Sequence, residues 1–156
     1  MPLCSPARIR LGLGLAALGV SALLSAQTAP APLPKGVGQR CVSDAHMLCL
    51  VQGRFAVTAA FQQTPSGPSI EASAVSLTDE TGYFWFFDAS NIELVVKVLN
   101  ACADFDSYWF FAAGLTNVGV AIVVKDLESG TMKVYDNPVG TPFSPIQDTS
   151  AFRTCP

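Results

Sequence analysis

The chain reads as an all-β protein, an antiparallel β-sandwich of immunoglobulin-like size with seven to eight strands in one domain. Apolar residues alternate with period two through most of residues 41–156, which is the signature of strands with one buried face. Turn signals recur roughly every ten residues, a spacing typical of sandwiches. Four cysteines, Cys41, Cys49, Cys102 and Cys155, follow an export-type N-terminus. An even count in that setting predicts two disulfides.

The N-terminus places Arg8 and Arg10 before an apolar run from Leu11 to about Leu24, then small residues and a polar stretch containing prolines. That layout predicts a secretory signal peptide over residues 1–26, cleaved after Ala26. The apolar run is too short for a membrane span. Cys4 precedes it, so it is not placed as a lipid-attachment cysteine. Residues 27–40, "QTAPAPLPKGVGQR", are rich in Pro and Gly and are read as a flexible leader. The chain is therefore expected to be secreted or periplasmic, with no membrane span left after cleavage. The leader gives way to the domain near Cys41.

In the domain, "GRFAVTAAFQ" places Phe55, Val57, Ala59 and Phe61 on one face, and Arg54, Thr58 and Gln62 on the other. "TPSGPS" turns the chain, and "IEASAVSL" makes a weaker strand up to the Asp79–Glu80 turn. "IELVVKVL" has Glu93 and Lys97 at helical spacing, but Ile92, Leu94, Val96 and Val98 alternate and its valines favour the pleated sheet. It is assigned as a strand. "SYWFFAAGLTN" gives the next strand and a turn at Gly114–Asn117. "VGVAIVVKDLESGTMKVYDNP" reads as a hairpin turning at Glu128-Ser129-Gly130, where Gly130 can take a positive φ. Val118, Val120, Ile122 and Val124 share a face, which Met132 and Val134 are expected to continue. The proline-rich tail from Val139 is expected to be a covering loop with at most one short edge strand.

Two aromatic runs stand out, Tyr83 to Phe87 in "TGYFWFF" and Tyr108 to Phe111. Aromatic residues pair well across strands, so the two runs are expected to be sheet neighbours with one face of each in the core. The other face is either covered by the tail or open, and an open aromatic patch marks a contact site. The candidate ligand-binding residues are Tyr83, Trp85, Tyr108 and Trp109.

For the disulfides, Cys41 with Cys49 and Cys102 with Cys155 is the favoured pairing, and Cys41 with Cys155 stays open. No catalytic motif accompanies His46, the single histidine, and the cysteine spacings fit no zinc pattern. Asp104 and Asp106 lack the rest of a calcium loop. No cofactor or metal is expected, and no catalytic residue is assigned. Signal cleavage would remove two of nine basic residues and none of the twelve acids. A mildly acidic surface without a Lys/Arg cluster argues against nucleic acid as a partner.

The stretches "LCLVQGRFAVTAAF", "TGYFWFFDASNIELVVKVLNAC" and "YWFFAAGLTNVGVAIVVKDLESGTMKVYDNPVGTPFSPIQDTSAF", with the closing Cys155, resemble a bacterial secreted domain of uncharacterised function. That domain occurs alone behind a signal peptide or appended to exported proteins. The resemblance spans about Cys41 to Pro156, and TGYFWFF and PIQDTSAF are its distinctive blocks; the loop "NACADFDSYW" departs from it. It implies an extracytoplasmic β-rich module and carries no activity. A module reused in this way behaves more as a binding unit than as a catalyst.

The leading functional expectation is thus a monomeric, non-catalytic module that binds a protein or a glycan. Two others are carried: a protease inhibitor presenting the loop Asn137–Pro145, and a hydrolase with an acid pair near Asp79, Glu80 or Asp88.

Overall fold

A computed structural model describes residues 40–156 of the chain. The expected signal peptide and all of the leader except Arg40 lie outside them. Two five-stranded antiparallel sheets pack face to face. Sheet A holds β1 (Met47–Leu50), β2 (Phe55–Gln62), β8 (Gly119–Asp126) and β9 (Met132–Asn137) in that order, with the two-residue β3 (Ile70–Glu71) also on β2. Sheet B runs β10 (Ile146–Phe152), β7 (Tyr108–Gly114), β6 (Leu94–Asn100), β5 (Thr81–Trp85) and β4 (Ser73–Ser76). A one-turn helix, α1 (Cys102–Phe105), joins β6 to β7. Among the described residues no helix is long and apolar enough to cross a membrane.

The all-β sandwich expectation holds, with ten strands rather than seven or eight. The extra ones are short or split. "IEASAVSL" is two strands, because the chain leaves sheet A at Ala72 and enters sheet B one residue later. Ala72 is fully buried and its N–H donates to the Ala59 carbonyl. Around this crossing the Ala74 N–H donates to the Ala45 carbonyl at 2.8 Å, linking the segment before β1 to β4. The tail is not a cover: β10 pairs with β7 and extends sheet B by one edge strand.

The core follows the period-two pattern. Phe55, Val57, Ala59 and Phe61 of β2 face Leu94, Val96 and Val98 of β6 and Phe110 of β7, all buried in one cluster. Aromatic pairs stitch the layers at three places. Phe55 lies 4.9 Å from Tyr108 and 5.1 Å from Phe152, Phe61 stacks on Phe86 at 4.7 Å, and Tyr135 stacks on Phe110 at 4.7 Å. Such pairs add about 0.5–1.5 kcal/mol each beyond the area they bury.

Met132 and Val134 do not continue the apolar face. The hairpin register sets Lys133 opposite Val124 and Tyr135 opposite Ile122, so Lys133 and Tyr135 face inward while Met132 and Val134 are 58% and 49% exposed. Lys133 is kept there by Asp148 of β10 at 2.7 Å, which also accepts from the Tyr135 hydroxyl.

Arg54 is a second departure, for it is buried. Val51, Gln52 and Gly53 all have positive φ, which breaks the alternation just before β2. Asp79 holds this turn, accepting from Val51 N–H with its carbonyl and from Gln52 N–H with its carboxylate. Arg54 then turns inward and grips Asp126 of β8 bidentately, at 3.0 Å from Nε and 2.8 Å from Nη2. Its Nη1 donates to the Tyr108 hydroxyl and meets Glu128, and its Nη2 also donates to Thr154. Thr154 Oγ1 donates to Asp126 as well. Burial pushes the Asp126 carboxyl up, but hydrogen bonds from Arg54, Thr154 and Ser129 outweigh it and hold the pKa at about 2.

Two disulfides form, Cys41–Cys49 and Cys102–Cys155, with Cα separations of 5.5 and 5.7 Å. The second ties α1 to the tail beside Thr154.

The folded chain takes up the Asp126 proton only near pH 2, whereas the unfolded chain does so near 3.8. Between those values the unfolded state binds more protons, so stability is present above about pH 4 and drains as pH falls towards 2. Denaturation midpoints measured between pH 5 and 2 should show this loss, and Asp126→Asn should flatten it. Asp148 and Asp88, also lowered, leave a smaller residual slope. The disulfides enclose separations of 53 and 8 residues. Removing Cys102–Cys155 by paired Ala substitution should cost about 4 kcal/mol against about 2.5 for Cys41–Cys49 in the chain-entropy account, read by urea denaturation.

Candidate binding face

The alternation that builds the core also decides which aromatic side chains point away from it. In β5, Phe84 is fully buried and Phe86 just beyond it is nearly so, while Tyr83 and Trp85 project from the opposite face and stay half-buried. In β7, Tyr108 and Phe110 point inward, and Trp109 and Phe111 outward. The structure thus brings Tyr83, Trp85 and Trp109 to the outer face of sheet B and removes Tyr108 from it. Tyr108 is 3% exposed, and its hydroxyl is taken by Arg54 while the guanidinium lies over its ring, 4.4 Å from the centroid. The expectation that Tyr108 binds a ligand is therefore corrected: it is a core residue of the ion cluster.

The two runs are not sheet neighbours either. β6 lies between them, and the register sets out the face in rows. Val75, Tyr83, Val95 and Ala113 form one row, and Thr81, Lys97, Phe111 and Gln147 the next. Leu99 and Trp109 make a third, with Phe105 of α1 against Trp109 at 4.7 Å between ring centroids. Trp85, opposite Ser73, stands at the far corner. Val95 is 37% exposed and Phe105 61%. Beside Phe111 a shallow trough of about 280 Å³ runs between Val95, Lys97 and the Pro145–Ile146 rim, with a predominantly apolar lining.

Val95, Lys97, Phe105 and Phe111 were not singled out from the sequence. Phe111 shares the parity of Trp109, so its direction could have been read. Phe105 could not, because only the turn of α1 brings it over Trp109.

The region round Trp109 has two further features. Its indole Nε1 is buried without a hydrogen-bond partner, alone in that respect among the described side chains. An orphaned buried donor costs about 1–3 kcal/mol. Opposite it, β10 bulges: Asp148 pairs with Phe110 and Phe152 with Tyr108, so three tail residues face Trp109 alone. Asp148 shapes that bulge by accepting from the Ser150 N–H. Bulges re-aim side chains and interrupt pairing.

The other sites suggested by sequence are engaged locally. His46 is exposed, and its Nδ1 lies 3.0 Å from the Ala72 carbonyl at the sheet crossing. Asp79 anchors the turn before β2, and Asp88 accepts from Ser90, which holds its carboxyl below the ordinary value. Asp104 and Asp106 are exposed at α1. The Asn137–Pro145 loop is pinned rather than protruding freely: Phe143 is buried against Gly114, where a Cβ would come within 2.5 Å of its ring. A polar basin of about 320 Å³ borders Arg54, but every N–H of that guanidinium already has an acceptor.

No family model, curated protein or solved structure matches the chain.

The contrast between neighbouring aromatic residues is measurable. Phe84→Ala empties a core site and should cost about 3–5 kcal/mol. Trp85→Ala, one residue on, should cost less than half as much in the same denaturation experiment, since its side chain stands on the outer face.

Proposed function

We propose that the chain is an exported, non-catalytic β-sandwich module that binds another protein through the outer face of sheet B. The observation that carries this reading is the face itself: Tyr83, Trp85, Val95, Trp109 and Phe111 project from it, Val95 exposed and the others partly so, with Phe105 of α1 lying against Trp109. Aromatic anchors beside an apolar trough are the composition of interface hot spots. The outer face of sheet A offers small side chains in β2 and β8, Ala56, Thr58, Ala60, Ala121 and Val123, with Met132 and Val134 exposed on the edge strand β9, and no aromatic side chain of its strands projects there.

A protein is favoured over a glycan because of the scarcity of polar groups. Sugar hydroxyls donate as well as accept, and burying them unpaired is costly. The trough lining supplies few acceptors. Export is supported by the two disulfides, which form and persist in oxidising compartments, and by the N-terminal sequence. The inhibitor and hydrolase readings gain nothing from the pinned loop and the locally bonded acids.

A photocrosslinking residue placed at Val95, in cells exporting the full chain, should capture one protein of defined mass. The same residue at Lys125, exposed on sheet A, should not, and Phe111→Ala should reduce the Val95 adduct at least tenfold while the chain remains folded. Equal capture from both faces, or an adduct indifferent to Phe111→Ala, would count against the reading.

A further inference from the structure

Given the binding face proposed above, on which this inference rests, the geometry points to the chemistry of the partner: an extended, proline-rich segment in the polyproline II conformation, whose backbone carbonyls accept from Trp109 Nε1 and Lys97 Nζ. Both of those side chains are donors only, since an indole N–H and an ammonium have no lone pair to offer. A proline-rich backbone is the complementary case, for proline keeps its carbonyl and lacks the N–H. The polyproline II helix makes no internal hydrogen bonds, so its carbonyls remain free for a partner. Other backbones would bring N–H groups into a mostly apolar trough whose side-chain acceptors are limited to Thr81 and Gln147.

The placement fits as well as the chemistry. Lys97 is directly opposite Phe111, and Trp109 is two residues along β7. Lys97 and Trp109 are therefore diagonal neighbours, about 7–8 Å apart. Two to three residues of polyproline II, at about 3.1 Å each, span that interval. Proline rings would rest between Phe111, Val95 and the Pro145–Ile146 rim, where an apolar lining is already in place. Aromatic-lined grooves take such segments because the ligand is ordered before it binds.

Trp109 Nε1 supplies the independent sign of a missing acceptor, being buried with no partner. Phe105, the ring lying against the indole, is 61% exposed on a helix with no buried residue and no side-chain N-cap. Because Nε1 is buried, this exposed ring must swing off the indole when the segment binds.

The test uses the ¹⁵N-labelled, oxidised chain, with the two indole N–H resonances assigned through Trp85→Phe. Acetylated, amidated decaproline should shift the Trp109 indole proton downfield in a saturable manner. A glycine-serine peptide of equal length should not. Trp109→Phe keeps a ring and removes the donor, and Lys97→Met keeps the stem and removes the charge. Each should weaken decaproline binding about three- to tenfold, the scale of one hydrogen bond, with the amide spectrum verifying the fold. An unmoved Trp109 resonance, an equal response to the glycine-serine peptide, or undiminished binding by both variants would overturn the inference. Those results would leave the protein-binding reading standing as long as the Val95 adduct still depends on Phe111; loss of that adduct's specificity would sink the broader reading instead.

Discussion

The bidentate contact between Arg54 and Asp126 is the constraint on which the arrangement of this end of the sandwich depends. It joins the start of β2 to the end of β8 within sheet A, and through the Tyr108 hydroxyl and Thr154 it reaches β7 and the tail of sheet B. Two buried charges cost several kcal/mol to desolvate, and only good geometry with every remaining group bonded offsets that. Here the guanidinium is saturated. The cluster's worth lies in specificity: few other packings of these strands could satisfy all of its members. Once Tyr108 is held inward, strand geometry turns Trp109 outward, Phe110 inward and Phe111 outward. A buried ion pair thus determines which aromatic residues reach the surface on the other side of the sheet.

The disulfide Cys102–Cys155 acts on the same region from outside. It holds the tail close to α1, which places Thr154 against the cluster and Phe105 against Trp109. Core and face are therefore coupled through a few residues at one end. The trough beside Phe111 is more remote, bordered by Pro145 and Ile146 where the tail enters β10.

Much of the fold was legible in the residues. β2, β6 and β8 declare themselves because each keeps Val, Phe, Ile, Leu or Ala on one parity for at least five residues, and Gly130 takes the φ of 76° that its hairpin needs. Three features were hidden for physical reasons. The alternation of "IEASAVSL" runs straight through Ala72, so nothing local marks the change of sheet. Arg54 has the parity of a surface residue, and only three successive positive-φ residues before it, with a partner 72 positions away, turn it inward. Met132 and Val134 look apolar and internal until the register across the turn is counted, which sets Lys133 opposite Val124. The aromatic face was half legible. Parity separates Trp109 from Phe110, but whether that face is open depends on where the tail goes, and the tail joins the edge.

Lys133 carries a consequence of another kind. β9 is an edge strand of sheet A, six residues long, with Met132 and Val134 exposed on its outer side. Such an edge is a template on which another chain could add a strand and start an aggregate. An inward-pointing ammonium paired with Asp148 guards it, because a strand stacked alongside would cut that ion pair off from water. While copies of the chain fold side by side, this one charge is a safeguard of solubility.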